Sequence, residues 1–202
     1  MSEKVRIVGI AGSLREGSYT HMALATALRG AAELGAQTQL INLRDYQLPF
    51  CGSGDEEAAG AAKLRGEARA AQGIILATPE YHGGYSGVLK NALDLMGFDE
   101  FEGKMIGLAG VSGGAMGAFS ALNTLRSVGR ALHAWVVPEQ ASVPHADEVF
   151  DEAGNCTDAG VEKRLKEVGR QVTKFAALLA SDQAKEFLKL WEQAQKNPGG
   201  ER

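Results

Sequence analysis

The sequence holds no cluster of cysteines. Its two, Cys51 and Cys156, lie 105 positions apart in a chain of 202 residues. That is neither a metal spacing nor a redox pair, so both read as reduced, incidental thiols. The four histidines, at positions 21, 82, 133 and 145, give no zinc spacing. A basic excess is missing too. The net charge is -4 and no basic run occurs, which excludes a nucleic-acid surface and disfavours an anionic membrane. Residues 1–4 run directly into an apolar segment at 5–10. The long apolar stretch and cleavage site of a signal peptide are lacking, which points to the cytoplasm. No internal repeat, low-complexity tract or second domain is visible. One segment, residues 105–125, carries no charge and is long enough to span a bilayer. Its glycines at 107, 110, 113, 114 and 117, with Ser112, Ser120, Asn123 and Thr124, mark instead a loop between a buried strand and a helix.

What the chain has in excess is glycine. It contributes 26 of 202 residues, about 13% against a usual share of about 7%. The glycines show no collagen period, and an apolar fraction of 45% excludes disorder.

Strand and helix patterns alternate five times. Short apolar runs at residues 5–10, 38–43, 73–77, 105–111 and 134–137 read as strands. Helical patterns cover residues 20–34, 56–71, 87–96 and 118–132, the last interrupted by Gly129. From Asp158 a long helix carries Val161, Leu165, Val168, Val172, Phe175 and Leu179 at steps of three and four. Phe187, Leu188 and Trp191 predict a further helical extension, with a frayed tail from Asn197. The expected organisation is one unit over residues 1–182 and an extension over 183–202. The strands are apolar throughout, as buried parallel strands are. The fold class is therefore α/β, a doubly wound five-stranded parallel sheet in the order 2-1-3-4-5 with helices on both faces.

In such a sheet, ligands bind beyond the carboxyl ends of the strands, where strands 1 and 3 diverge. The loops after strands 1, 3 and 4 become neighbours there, and these are the unusual ones. Residues 12–20, 78–87 and 110–117 total 27 positions, of which nine are glycine. The first loop, Gly12-Ser-Leu-Arg-Glu-Gly-Ser-Tyr-Thr20, offers hydroxyls, the planar fork of Arg15 and the positive end of a helix. That set suits a phosphate. Ser18 stands where a nucleoside-triphosphate loop needs lysine, and the dinucleotide fingerprint is absent. A single mononucleotide phosphate remains. The second loop, Thr78-Pro-Glu-Tyr-His-Gly-Gly-Tyr-Ser-Gly87, gives flat faces and close backbone access for a ring. Glu80 and His82 could pass for an acid–base pair, but no nucleophile or metal set accompanies them. The third loop, Gly110-Val-Ser-Gly-Gly-Ala-Met-Gly117, serves either a flat ligand edge or tight helix–strand packing.

Together the loops resemble those of the NAD(P)H-dependent FMN reductase family, flavodoxin-like enzymes that include quinone, azo-dye and chromate reductases. Gly12-Ser-Leu-Arg-Glu-Gly-Ser18 is similar to its phosphate loop. Pro79-Glu-Tyr81 with Gly87-Val-Leu-Lys-Asn-Ala-Leu-Asp94 is similar to its second signature, and Ser112-Gly-Gly114 to its flavin-edge loop. The resemblance spans roughly residues 5–180, in the order the fold requires. It implies that Ser13, Arg15, Ser18, Tyr19 and Thr20 hold the phosphate of FMN. Pro79, Glu80, Tyr81, His82 and Gly83 would line the isoalloxazine ring, and Ser112, Gly113 and Gly114 would flank its other side. Thr20 and His82 replace frequent asparagines. Ser86 replaces a proline, which predicts a less rigid turn.

The resemblance further implies a flavodoxin-like FMN-binding domain and hydride transfer from NADPH or NADH to FMN. A small acceptor such as free flavin, a quinone, an azo compound or a metal oxyanion would follow in ping-pong order. FMN would carry the chemistry, with no catalytic side chain and no metal. A homodimer or homotetramer is implied, through the helices after strands 3 and 4. Two rivals stand beside this reading. One is a flavodoxin-like FMN electron carrier without NAD(P)H turnover, although such carriers are usually strongly acidic. The other is a flavin-free α/β binding domain.

Overall fold

The computed structural model describes residues 4–193, and the tail expected from Asn197 lies outside them. Five parallel strands form the sheet: β1 (Arg6–Ala11), β2 (Gln37–Asn42), β3 (Gly73–Tyr81), β5 (Met105–Val111) and β6 (Trp135–Val143). Their order is β2-β1-β3-β5-β6, which is the expected 2-1-3-4-5 once a sixth, two-residue strand is counted. That strand, β4 (Gly84–Tyr85), folds back antiparallel on the end of β3 and was not expected.

Alternate residues of the central strands β1, β3 and β5 enter opposite cores, and so their buried runs are apolar, whereas the edge strands β2 and β6 carry Gln37, Gln39 and Asn42 and Glu139 and Gln140. Ile7 and Ile75 pack with α1 (Tyr19–Ala32) and α7 (Ala159–Ala180). Val8, Ile10, Ile74, Leu76, Ile106 and Leu108 pack on the other face. The helices there are α2 (Ala59–Arg69), α3 (Gly87–Asp94) and α5 (Phe119–Ala131). Burying both faces of a parallel sheet is what makes such strands read as continuous apolar runs. Part of the glycine excess belongs here. A Cβ at Gly30 would land on the Lys166 carbonyl, and one at Gly169 on that of Ala27. The two helices cross backbone to backbone at that point.

The segment at 105–125 becomes β5, a loop and the first half of α5. No described helix is long and apolar enough to cross a membrane. Strand β6 runs six residues past its expected end at residue 137. A register shift against β5 falls between Ile106 and Leu108. Arg126 of α5 serves the irregular strand, donating to the carbonyls of Val137 at 3.0 Å and Pro138 at 2.6 Å and to Gln140 Oε1 at 2.7 Å. Short helices α4 (Phe98–Phe101) and α6 (Ala146–Val149) fill connections, and α8 (Asp182–Gln193) follows α7.

Candidate functional site

The three glycine-rich loops meet at the carboxyl edge of the sheet. The N–H of Gly12, just past β1, donates to the Ala77 carbonyl of β3 at 2.8 Å. The Ser86 hydroxyl donates to the Gly12 carbonyl at 2.5 Å. A Cβ at Gly12 would stand 2.6 Å from Leu89 Cβ and 2.9 Å from Ser86 Oγ, so glycine is required by close approach. Farther out, the Arg15 guanidinium lies over the Tyr81 ring, 6.0 Å from its centroid. The third loop leaves β5 where Val111 pairs with Pro79, and the helix that follows it is tied to Glu80, whose Oε2 accepts from the Ala121 N–H at 3.0 Å.

The first loop is built around hydroxyls. Ser18 is the N-cap of α1, its Oγ accepting from the Thr20 N–H at 3.2 Å. Ser13 Oγ accepts from the Arg15 N–H at 3.3 Å. In both bonds the hydroxyl accepts, which leaves its proton to donate. Thr20 is 1% exposed, and its Oγ1 has no hydrogen-bond partner in the described chain. A buried, unpartnered hydroxyl costs about 1–3 kcal/mol, which a ligand oxygen would relieve. With Arg15 and the positive end of α1, this donor set fits the phosphate of FMN. Tyr19 differs from its loop neighbours. Its ring stacks on Phe150, with centroids 6.2 Å apart, so what it offers a phosphate is its backbone N–H at the start of the helix.

The second loop is a tight hairpin. Tyr81 pairs with Gly84, leaving His82 and Gly83 at the tip with φ of 51° and 76°. Left-handed φ at both central positions defines the twist-matched hairpin turn, which favours asparagine followed by glycine. His82 stands at the first of these two positions and Gly83 at the second. The His82 side chain is exposed at the tip. The carboxylate of Glu80 is committed to the first turn of α5, whose N-cap Ala118 supplies no side-chain cap. The acid–base reading of Glu80 and His82 finds no support in this arrangement. Pro79 is buried in β3 beside Val111.

Ser86 corrects the expectation of a less rigid turn. It is 2% exposed. Its N–H donates to Thr78 Oγ1 at 3.0 Å, a bond proline could not make. Its Oγ accepts from the Leu89 N–H at 3.1 Å, capping α3, while donating to Gly12. The turn is fixed by hydrogen bonds where a ring would otherwise stiffen it.

In the third loop, Ser112 Oγ accepts from the Gly114 N–H at 3.0 Å. Gly113 and Gly114 are exposed, and a Cβ at Gly113 would meet nothing within 4 Å. Gly110 is different: a Cβ there would lie 2.5 Å from Ala118 Cβ, so it serves helix–strand packing. Sequence reasoning missed Ser142, whose Oγ accepts from the Ala118 N–H at 2.8 Å and secures the start of α5. Its signal is hidden in the sequence because the apolar run of β6 stops at residue 137, five positions earlier. Also missed was the groove beyond the first loop, where His21 Nε2 and Asn42 Oδ1 lie 3.1 Å apart. Burial pulls the His21 imidazole below its ordinary pKa.

Comparison with known proteins places these features in context. A family model described as NADPH-dependent FMN reductase matches residues 5–148. The NADPH-dependent FMN reductase ArsH of Shigella flexneri is 31% identical over 180 residues, covering 87% of this chain and 70% of that protein. An FMN-dependent NADPH-azoreductase of Staphylococcus aureus is 38% identical over 134 residues, 64% of this chain and 71% of that one. Among solved structures, the flavoenzyme NAD(P)H:(acceptor) oxidoreductase FerB of Paracoccus denitrificans superposes with a TM-score of 0.71 at 25% identity. The match covers 87% of this chain and 98% of that one. An apo NADH:FMN oxidoreductase gives a TM-score of 0.73 at 22% identity, covering 85% and 90%, and attests the fold alone.

Proposed function

This chain belongs to the NADPH-dependent FMN reductase family, and from that premise we propose that it serves a small diffusible acceptor in ping-pong order. It is an NAD(P)H-dependent FMN oxidoreductase. The acceptor is a free flavin, a quinone, an azo compound or a metal oxyanion. When bound, FMN would supply the redox chemistry, hydride acceptance and electron donation, that the side chains lack.

The chain's own work is to hold and orient. Ser13, Ser18 and Thr20 donate hydroxyl protons to the phosphate, and Arg15 supplies a charged fork. The backbone of Tyr19 closes that cradle. Residues 79–83 form one wall for the ring and residues 112–114 another. Backbone N–H groups on those walls stabilise negative charge on the ring without a titrating side chain. The observation that carries this reading is the buried, unpartnered Thr20 hydroxyl beside two others whose protons are available.

One binding surface serving donor and acceptor in turn requires the first product to leave before the second substrate enters. Initial rates at several NADPH and acceptor concentrations should give parallel double-reciprocal lines. Intersecting lines would show a ternary complex and overturn the order. Residues 1–182 make the FMN-binding unit, and residues 183–202 an extension. The site of action is the cytoplasm. The working form is a homodimer or homotetramer joined through α3 and α5. Met116, 87% exposed in the third loop, and Phe119, 59% exposed at the start of α5, are apolar surface such a contact would cover.

A further inference from the structure

Among the described residues, no residue of α8 enters either core. The helix is anchored at its start by Ser181, whose Oγ donates to the Leu178 carbonyl at 2.7 Å and accepts from the Ala184 N–H at 3.2 Å. Beyond that point its apolar residues face solvent, with Phe187 64% and Leu188 47% exposed. Positions 184, 187, 188 and 191 are all apolar and recur at steps of three and four, which draws a stripe down one face. A helix of 12 residues is marginal in water by itself, because isolated helices need about 12–15 residues or more. Packing of the stripe is what would stabilise it.

The flanks of the stripe indicate what covers it. Residues 194–202 contain no large apolar residue, so that stretch does not supply the cover. A membrane surface fits poorly. Lys185 and Lys189 stand in α8 against Asp182, Glu186 and Glu192, whereas helices that lie on membranes have basic polar faces. A second copy of α8 fits. Positions 185 and 192 are seven residues apart, so they share one flank of the stripe. If two copies pair antiparallel about a two-fold axis, that flank meets itself in reverse. Position 185 then stands opposite position 192 of the copy, and 192 opposite 185, a lysine against a glutamate twice over. Parallel pairing would instead set this flank against the opposite one, where positions 183 and 190 are glutamine and leucine and carry no charge. We propose that α8 is a self-association surface that pairs antiparallel with α8 of a second copy. This contact goes beyond the one through α3 and α5. The helix that leads into α8, α7, packs on the α1 face of the sheet, and α3 and α5 pack on the other. The two contacts use different two-fold axes and together close a tetramer.

Sedimentation velocity on the full chain tests this. The wild type should run as a tetramer and Leu188→Glu as a species of half that mass. The variant should keep the circular dichroism and FMN uptake of the wild type, because position 188 belongs to neither core. Lys185→Glu and Glu192→Lys each set like charges opposite one another, and each should weaken the association about tenfold. Combining the two substitutions in one chain should restore it, since both members of each pair are then reversed. That recovery distinguishes a copy of the same helix from any other occupant. An unchanged mass for Leu188→Glu would overturn the proposal. So would a combined variant as weak as the single ones. Wild-type binding to vesicles of mixed neutral and acidic phospholipid, abolished by Leu188→Glu, would assign the stripe to a membrane and overturn it as well. A dimeric wild type with a monomeric Leu188→Glu would uphold the α8 contact and remove the one through α3 and α5.

Discussion

The two edges of the parallel sheet are built from similar residues to opposite ends. At the amino edge, polar groups are satisfied within the chain. The Lys104 ammonium donates to the carbonyls of Ala68 at 2.6 Å and Arg69 at 2.9 Å, closing the last turn of α2. Glu100, 2% exposed, accepts the Gly97 N–H at 2.7 Å. It also stands 2.8 Å from Arg69 Nε, an ion pair whose N–H lies off the line of a hydrogen bond. His133 stacks on Phe98, with centroids 4.5 Å apart. At the carboxyl edge, Thr20 keeps a buried hydroxyl without a partner, and Arg15 and Arg44 have no carboxylate partner among the described residues. One edge is closed by its own contacts, and the other is left open for ligands. Buried polar groups are nearly always paired. Of the two buried side-chain atoms without a hydrogen bond among the described residues, Glu100 Oε1 at the amino edge still has the Arg69 ion pair, whereas Thr20 Oγ1 at the carboxyl edge has no partner.

Substitutions at the two edges should therefore separate stability from binding. The largest effect is expected at Glu100→Ala, which leaves the Gly97 N–H unmet and a cavity at a buried position. Because Arg69 is half exposed and keeps Asp99, the loss should be about 2–3 kcal/mol in denaturant unfolding, below the full cost of breaking a buried pair. FMN affinity should not change. Arg15→Ala should do the reverse, weakening FMN by about 1.5–3 kcal/mol in a fluorescence titration with the unfolding midpoint unmoved. Thr20→Val, which swaps the hydroxyl for a methyl of similar size, should cost FMN affinity about 1 kcal/mol. It should leave the apoprotein as stable or slightly more so, because the orphaned oxygen is gone.

The smallest effect concerns pH. Burial pushes the Lys104 ammonium down to about 8, below its ordinary value in the unfolded chain of about 10.4. Between those values the unfolded state binds more protons, so this residue's contribution to stability rises with pH across that window. The wild-type unfolding free energy minus that of Lys104→Arg should increase from pH 8 to 10. A flat difference would mean that the lysine is solvated like any other.

Much of this contrast is legible in the sequence. The parallel sheet follows from the apolar runs of the central strands, because parallel strands bury both faces, and the strand order comes with the five-stranded doubly wound class. The three loops stand out because glycine concentrates at strand ends that this order brings together. What stayed hidden depends on long-range partners. Strand β6 reads as ending at residue 137 because Pro138 and Glu139 break its run, and only Arg126 on a distant helix supplies what the irregular strand needs. Ser86 reads as the loss of a stiff proline until its partners, Gly12 and Thr78, are seen beside it. The groove beyond the first loop requires β2 to lie against β1 before His21 and Asn42 meet. Glycines such as Gly30 and Gly169 read as a general small-residue habit, whereas they mark the crossing of α1 with α7.

The central claim is that the carboxyl edge holds FMN by its phosphate. Calorimetric titration of the apoprotein with FMN and with riboflavin, which differ only in that group, tests it most directly. Two or more charge-assisted hydrogen bonds from Ser13, Arg15, Ser18 and Thr20 should make FMN bind about 100-fold tighter or more. Equal affinity for the two flavins would contradict the account.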